Sequence, residues 1–244
     1  MHQLEWIGII RHGESVGNVA ATTAEEKGSD LIDITERDAD VPLSDTGEKQ
    51  AEAVAGWLHE LSDDEHPQVV IVSPYLRARQ TAEIALNGLD VPTVRDERLR
   101  DRELGVLDLH TVHGIQSKFP EESERRKRLG KFYYRPPGGE SWADVLLRIR
   151  SLLRDVAEDH PEQRVLFFAH DAVVSLFRYV MEGLDEEELM AGAKKSPIAN
   201  CSISSWRWSD DDGWVTERFN DVEHLQQDEE ARPTAEEGVD APAV

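Results

Sequence analysis

The residue types best suited to chemistry come directly after the first apolar run of the chain, where Arg11 and His12 follow residues 4–10. Such a run is typical of a short buried strand, and open α/β sheets bind ligands beyond the carboxyl ends of their strands. The Arg11 guanidinium offers a planar set of donors for phosphate oxygens. An imidazole is neutral enough at pH 7 to act as a nucleophile. The pair therefore indicates a phosphoryl-binding site with His12 as the candidate nucleophile.

Two later strands deliver polar side chains in the same way. Residues 69–72 form an uninterrupted β-branched run, typical of a parallel strand covered on both faces, and Arg77 follows shortly after it. Residues 164–169 form a third buried run, which ends at His170. Phosphoryl transfer needs mainly in-line placement and neutralisation of charge on the equatorial oxygens, and these side chains can supply both. We therefore expect the three strand ends to meet in one site.

Two segments carry motifs that resemble those of a known family. Residues 11–18 read Arg-His-Gly-Glu-Ser-x-x-Asn, and residues 73–78 read Ser-Pro-x-x-Arg-Ala. Both resemble motifs of the histidine phosphatase superfamily, which includes cofactor-dependent phosphoglycerate mutases and many phosphomonoesterases. The resemblance implies a phosphohistidine intermediate on His12. It also implies that the phosphoryl oxygens are bound by Arg11, Arg77, His170 and Asn18.

The general acid is also suggested by the resemblance. The family places its proton donor in a Leu-x-Glu-x-x-x-Gly pattern, which here aligns with Leu99, Asp101 and Gly105. Aspartate stands where glutamate is commoner, and Glu103 lies two residues further on. The resemblance therefore implies that Asp101 is the general acid, with Glu103 as its substitute.

The remaining residues expected around the site come from the same motifs. Glu140 belongs to a Pro-Gly-Gly-Glu-Ser turn that recurs in the family, where its role is either to border the pocket or to support the structure. Asp171 stands where the family usually has a glycine whose N–H reaches the phosphate. No metal ion and no cofactor is expected, because two arginines and a histidine can neutralise the phosphoryl group. The residues expected to bind substrate are Asn18, Glu14, Ser15, Glu103, Asp171 and Glu140.

A second motif overlaps the first. Residues 13–17 fit the Gly-x-Ser-x-Gly turn of serine hydrolases, with Ser15 in the place of the nucleophile. In those enzymes the oxyanion hole takes a donor from a loop after an earlier strand, whereas only one strand can precede Ser15 here. The histidine phosphatase interpretation is therefore favoured.

Composition limits the partners of the chain. The 244 residues include 50 Asp and Glu against 27 Lys and Arg, which gives a formal net charge of -23. Nucleic acids and anionic membranes would be repelled, so neither is expected as a partner. No stretch approaches the roughly 18 apolar residues that span a membrane, and a lone cysteine, Cys201, favours a reducing, cytoplasmic location. The expected partner is a small phosphorylated substrate, and composition does not decide between a monomer and a dimer.

Periodicity predicts the fold class. Buried strands alternating with amphipathic helices indicate an α/β domain with a mostly parallel central sheet. The resemblance implies the three-layer α/β/α sandwich of phosphoglycerate mutase-like proteins. Residues 203–208 and 214–219 alternate around a turn, which predicts an antiparallel hairpin at one edge. We expect one catalytic domain over residues 1–225 and an acidic, disordered tail over residues 226–244.

The reaction depends on what removes the phosphoryl group from the histidine. Water gives a phosphatase, whereas return of the group to the bound sugar acid gives a mutase. The basic cluster at residues 125–128 has two interpretations, a lid that gathers anionic substrates or a face paired with carboxylates. The surrounding segment otherwise does not resemble the substrate segment of the mutases. We therefore favour a phosphatase acting on a small metabolite, with a mutase or a catalytically weak binding module as alternatives.

Overall fold

A computed structural model describes residues 4–227 and 229–235, and a six-stranded sheet runs through this part of the chain. The strand order is β3-β2-β4-β1-β5-β6. The first four strands in that order are parallel, while β5 and β6 form an antiparallel hairpin at one edge. The predicted mostly parallel sheet with an edge hairpin is confirmed. The strands are β1 (Trp6–Arg11), β2 (Val69–Val72), β3 (Thr93–Arg95), β4 (Arg164–Ala169), β5 (Ile203–Ser209) and β6 (Gly213–Asp221).

Helices surround the sheet, and side-chain caps fix where several of them begin. Ser15 caps α1 and Ser141 caps α6, each in a capping box that satisfies backbone N–H groups of the first turn. Helix α8 was not predicted from the sequence. The helices are α1 (Val16–Glu26), α2 (Asp45–Glu60), α3 (Leu76–Ala85), α4 (Val112–Lys118), α5 (Pro120–Leu129), α6 (Trp142–Asp159), α7 (Asp171–Glu182) and α8 (Glu186–Lys195).

Each face of the sheet packs against its own helices. Alternate residues of β4 point to opposite faces, so Leu166 and Phe168 pack with α2 and α3, while Val165 and Phe167 pack with α6 and α7. All four side chains are fully buried. The predicted three-layer α/β/α sandwich is therefore confirmed.

The parallel pairing brings three strand ends to the same edge of the sheet. Strand β4 lies between β1 and β2, with Arg11 paired to Ala169 and Val72 paired to Phe168. The residues that follow extend this pairing. His12 N–H donates to the Ala169 carbonyl and Ser73 N–H donates to the Phe168 carbonyl, both at 2.9 Å. The sheet thus fixes the backbone on which the site is built.

The C-terminal segment departs from the prediction. Disorder was expected from residue 226 onwards, but residues 229–235, here named the C-terminal strap, lie against the domain. Glu229–Ala231 form a 3-10 turn, and Ala231 is fully buried. A buried apolar side chain and hydrogen bonds to Gln50 give this segment contacts that its composition did not indicate. Of the predicted tail, residue 228 and residues 236–244 lie outside the described residues.

The loop after β1 touches the start of α2 backbone to backbone. Gly13 and Gly47 face each other across this contact, and a Cβ atom at either position would meet backbone atoms of the other segment. A Cβ at Gly47 would overlap the Glu14 carbonyl. Glycine at these positions therefore allows α2 to lie directly against the loop that carries His12.

We expect Gly47→Ala to lower the free energy of unfolding by about 1–3 kcal/mol, because the new methyl group forces two backbones apart. The matched control is Gly56→Ala in the exposed middle of the same helix, where a Cβ has nothing within 4 Å. That change should raise the free energy by about 0.5–1 kcal/mol, since alanine is the better helix former. Urea denaturation measures both, and equal effects of the two substitutions would contradict the close contact.

Candidate active site

His12 is held in one tautomer at the end of β1. Its Nδ1 lies 2.7 Å from the Gly13 carbonyl, an acceptor, so Nδ1 carries the proton. Its Nε2 accepts a hydrogen bond from Arg77 Nε at 3.2 Å. The lone pair of Nε2 therefore faces the guanidinium. A nucleophile that attacks an anionic group needs such a cation beside it to bind that group.

Burial and nearby cations keep the His12 ring neutral. The side chain is 2 % exposed. Loss of hydration on burial, followed by the charges of Arg77, His170 and Arg11, holds its pKa well below the usual value. The folded protein therefore presents an unprotonated Nε2 at neutral pH.

Arg77 lies at the centre of the site, at the start of α3, and is buried. Besides its contact with His12, its terminal nitrogens donate to Asp101 Oδ2 at 3.0 Å and to Asp38 Oδ1 at 2.9 Å. A third bond runs to the Asp38 carbonyl at 2.7 Å. Its planar fork is thus held by carboxylates in positions suited to phosphoryl oxygens.

His170 follows β4 and is fully buried beside His12, with 5.2 Å between the ring centroids. Its Nε2 lies 2.8 Å from Ser73 Oγ. Ser73 Oγ can donate its hydroxyl proton to this nitrogen, and we assign the histidine proton to Nδ1 because that atom faces a carboxylate. That nitrogen lies 3.3 Å from Asp101 Oδ2. Burial, followed by Arg77, Arg148 and Arg11, holds the pKa of His170 well below its usual value.

The five residues predicted as catalytic therefore come together at one sheet edge. All of them except His170 also line a cavity of about 650 Å³ that opens to solvent. Asp101 contacts both Arg77 and His170, whereas Glu103 lies exposed on the same cavity wall. The predicted catalytic residues are Arg11, His12, Arg77, Asp101 and His170.

The predicted substrate-binding residues divide into two groups. Asn18, Ser15, Glu103 and Asp171 line the cavity, whereas Glu14 and Glu140 are not among its lining residues. Glu14 instead accepts a hydrogen bond from Ser44 Oγ at 2.7 Å and supports the start of α2. Glu14 thus has a structural contact here, and its contact with substrate stays a prediction.

Glu140 also has a structural role. Its carboxylate pairs with Arg100 at 2.6 Å and with Arg148 at 3.1 Å. Arg148 in turn donates to the Asp101 carbonyl at 3.1 Å. Glu140 therefore positions the backbone that carries Asp101, and its direct contact with substrate stays a prediction.

Ser15 lacks the partner that a serine nucleophile needs. Its Oγ bonds to Asn18 Oδ1 at 2.9 Å and accepts the Asn18 N–H, both as part of the α1 cap. No histidine is among these partners, and the serine hydrolase alternative loses its base.

The basic cluster of residues 125–128 lies on α5 outside the cavity lining, and Arg125 and Lys127 pair there with Glu122 and Glu124. The interpretation as a face paired with carboxylates is favoured over the lid.

Several residues of the site were missed from the sequence. Asp38 holds Arg77, and Arg102 lines the cavity as a buried cation whose Nε donates to the Glu140 carbonyl at 2.7 Å. Asp38 lies in a segment without periodicity, and Arg102 lies in a run of charges that is typical of a solvated loop. The run of charges around Asp101 was the one sequence signal that pointed to Arg102.

The C-terminal strap reaches the nucleophile through two fully buried amides. Gln50 accepts the Glu14 N–H and donates to the Arg232 carbonyl and to Thr234 Oγ1, at 2.8 to 2.9 Å. Asn200 donates to the His12 carbonyl at 3.1 Å and accepts from Thr234 Oγ1 at 3.1 Å. The strap is therefore a support of the loop that carries His12.

Within residues 4–227 and 229–235, no three His, Cys, Asp or Glu side chains are grouped as a metal site would require. In the same described residues, no helix combines the length and the apolar character needed to cross a membrane.

Comparison with known proteins defines the class. The sequence model of one protein family, the histidine phosphatase superfamily (branch 1), matches residues 7–222. The chain therefore belongs to this superfamily, as the motifs at His12 and Arg77 predicted.

Relatives with similar sequences are described as mutases. A protein of Yersinia enterocolitica described as a probable phosphoglycerate mutase is 28% identical over 223 residues, covering 89% of this chain and 93% of its own. One of Erwinia tasmaniensis with the same description is 30% identical over 228 residues, covering 89% and 94%.

Solved structures confirm the fold. The α-ribazole phosphatase of Shigella flexneri superposes with a TM-score of 0.72 at 19% identity, covering 88% of this chain and 96% of its own. A mycobacterial glucosyl-3-phosphoglycerate phosphatase superposes with a TM-score of 0.70 at 23% identity, covering 89% and 100%.

We expect Thr234→Val to lower the free energy of unfolding by about 1–2 kcal/mol, because it leaves the buried Asn200 Oδ1 without this donor. It should also lower kcat toward p-nitrophenyl phosphate severalfold, since Asn200 holds the His12 carbonyl. The control is Thr93→Val, which removes an exposed hydroxyl bound to the Val91 carbonyl. Wild-type stability and activity in Thr234→Val would contradict the supporting role of the strap.

Proposed function

We propose that the protein hydrolyses phosphomonoesters of small metabolites through a phosphohistidine on His12. The observation that carries the proposal is a neutral, buried imidazole whose Nε2 lone pair faces the Arg77 guanidinium at the meeting point of three strand ends. Membership of the histidine phosphatase superfamily supports the same chemistry.

The first step begins when the phosphoryl group enters the cationic end of the cavity. Its oxygens take over the Arg77 donors that Asp38 and Asp101 hold, while Arg11 adds a second positive charge and the His170 Nδ1–H adds a hydrogen bond. Asn18 lines the same end and is assigned to a phosphoryl oxygen. A phosphoryl oxygen also takes over the Arg77 Nε donor, and this frees Nε2 of His12 for in-line attack.

Phosphoryl transfer then proceeds in two half-reactions. The bond from His12 Nε2 to phosphorus forms as the bond to the ester oxygen breaks, and the leaving alkoxide takes a proton from Asp101. In the second half, the Asp101 carboxylate accepts a proton from water while the water oxygen bonds to phosphorus. The nitrogen–phosphorus bond breaks, and inorganic phosphate leaves.

A mutase is the second candidate, because the relatives from Yersinia enterocolitica and Erwinia tasmaniensis are described as probable phosphoglycerate mutases. A mutase substrate carries a carboxylate in addition to its phosphoryl group. The exposed charged side chains that line the cavity are themselves carboxylates, which disfavour such a substrate. This observation favours the phosphatase.

A cytoplasmic location, suggested by a single cysteine, and the absence of nucleic-acid partners, suggested by the net charge, belong to the same proposal.

We expect His12→Asn to lower kcat toward p-nitrophenyl phosphate by about 10³-fold or more, because the nucleophile is lost. Rapid quenching in alkali should trap acid-labile phosphate on the wild-type protein and not on the variant. His59→Asn, at an exposed position on α2, is the matched control and should behave as the wild type. Chelator should leave the rate unchanged. Turnover by the wild-type protein without acid-labile phosphate on it would contradict the mechanism.

The mutase is tested in parallel with 3-phosphoglycerate and 2,3-bisphosphoglycerate. Isomerisation without release of phosphate would establish the mutase instead. No turnover across a broad phosphoester panel would favour the binding module.

We expect Asp101→Asn to lower the rate on an alkyl phosphate by about 10²-fold or more, because the alkoxide then leaves without a proton. The rate on p-nitrophenyl phosphate should fall less than about tenfold, since p-nitrophenolate leaves unprotonated. Glu103→Gln, measured on both esters, provides the comparison. If Glu103→Gln shows a larger loss of rate on the alkyl phosphate, relative to p-nitrophenyl phosphate, than Asp101→Asn does, the general acid is Glu103 instead.

A further inference from the structure

The charged residues that line the cavity are arranged by depth. The three arginines of the lining, Arg11, Arg77 and Arg102, are all buried. The side chains that reach solvent are of the opposite sign. These exposed lining carboxylates, here named the acidic mouth, are Glu25, Glu26, Glu36, Asp38, Glu103 and Asp108.

The acidic mouth is more one-sided in charge than the chain as a whole. With 50 Asp and Glu against 27 Lys and Arg, a mouth of average composition would hold about two basic residues among six. Among the described lining residues, each exposed charged side chain is instead acidic. The basic cluster of residues 125–128 is also absent from this lining.

The negative charges act on the same space. Burial raises the pKa of Asp38, and the charges of Asp101 and Asp108 raise it further. Together these effects are larger than the lowering by Arg77. Burial, together with Asp38, Asp101 and Glu103, raises the pKa of the neighbouring Tyr75 to about 12. A concave surface with low-dielectric walls strengthens such a field over that of an open surface.

Part of the cavity wall is apolar. Ile32, Ile34, Leu104 and Leu109 line the cavity together with Val112. A volume of about 650 Å³ leaves room for a substituent beyond the phosphoryl group. The alcohol part of a substrate bound at His12 therefore shares the cavity with apolar side chains and carboxylates.

We propose that the preferred substrates are phosphomonoesters whose alcohol part carries a cationic nitrogen. This inference rests on the proposed function of the site. The phosphoryl dianion binds the buried arginines, and the ammonium group lies in the acidic mouth. A second anionic group on the substrate would face the same carboxylates and be repelled.

The test compares three esters of similar size that differ in charge. Phosphocholine carries a quaternary ammonium, 3,3-dimethylbutyl phosphate is its neutral isostere, and 3-phosphoglycerate carries a carboxylate. Each is measured as a competitive inhibitor of p-nitrophenyl phosphate hydrolysis, so that an inhibition constant is obtained even for an ester that turns over slowly. We expect phosphocholine to bind at least about fivefold more tightly than its isostere, and 3-phosphoglycerate most weakly.

Ionic strength provides an independent readout. Raising it from about 0.02 M to about 0.5 M should reduce the preference for phosphocholine over its isostere, because salt screens exposed carboxylates. A preference that came from the shape of the apolar wall would not change in this way.

Variants test whether the acidic mouth is the cause. Glu36→Gln combined with Asp108→Asn should reduce the preference for phosphocholine about threefold, because both changes remove charge and keep shape. The control is Glu158→Gln with Asp159→Asn, which changes the net charge equally at the far end of α6, an 18-residue helix about 27 Å long. The control should keep the wild-type preference.

The outcomes separate this inference from the proposed function. Equal or tighter binding of the neutral or the carboxylate ester, or no inhibition by phosphocholine, would overturn the inference while p-nitrophenyl phosphate hydrolysis through His12 stands. A preference for phosphocholine that Glu36→Gln with Asp108→Asn leaves intact would also overturn it. No hydrolysis of p-nitrophenyl phosphate would contradict the proposed function, and the inference with it.

Discussion

The contact on which the site depends is the one between Arg77 Nε and His12 Nε2. It requires a neutral imidazole, and burial next to several cations supplies one by lowering the pKa of His12. A protonated ring would be repelled by the guanidinium and would have no lone pair for attack. The parallel sheet makes the contact possible, because strands β1 and β2 both lie beside β4 and end at the same edge.

Two supports outside the cavity hold the reacting groups in position. On one side, Gln50 and Asn200 link the loop of His12 to the C-terminal strap. On the other side, Arg148 links the Glu140 carboxylate to the backbone of Asp101. Such indirect contacts matter because phosphoryl transfer depends on placement, and small displacements of either group lengthen the path of attack.

The two ends of the cavity carry opposite charges for different reasons. The buried arginines suit a phosphoryl group in water-poor surroundings, where electrostatic interactions are strong. The acidic mouth lies at the solvent boundary, where its field acts on the rest of the substrate and is screened by salt. A strongly acidic protein can therefore bind an anionic group without a basic surface.

The sequence by itself determined the sheet, the helices around it except α8, and the residue types at three strand ends. Apolar periodicity and motifs with fixed local spacing are properties of short segments, and they predicted His12, Arg77 and His170 at one site. Only the tertiary structure decided that Glu14 and Glu140 support the site, and that residues 229–235 form a strap. These outcomes depend on contacts between segments far apart in the chain, such as Gln50 with Arg232. Local composition indicates whether a residue is polar, but the partner that satisfies it is fixed only when the whole chain is packed.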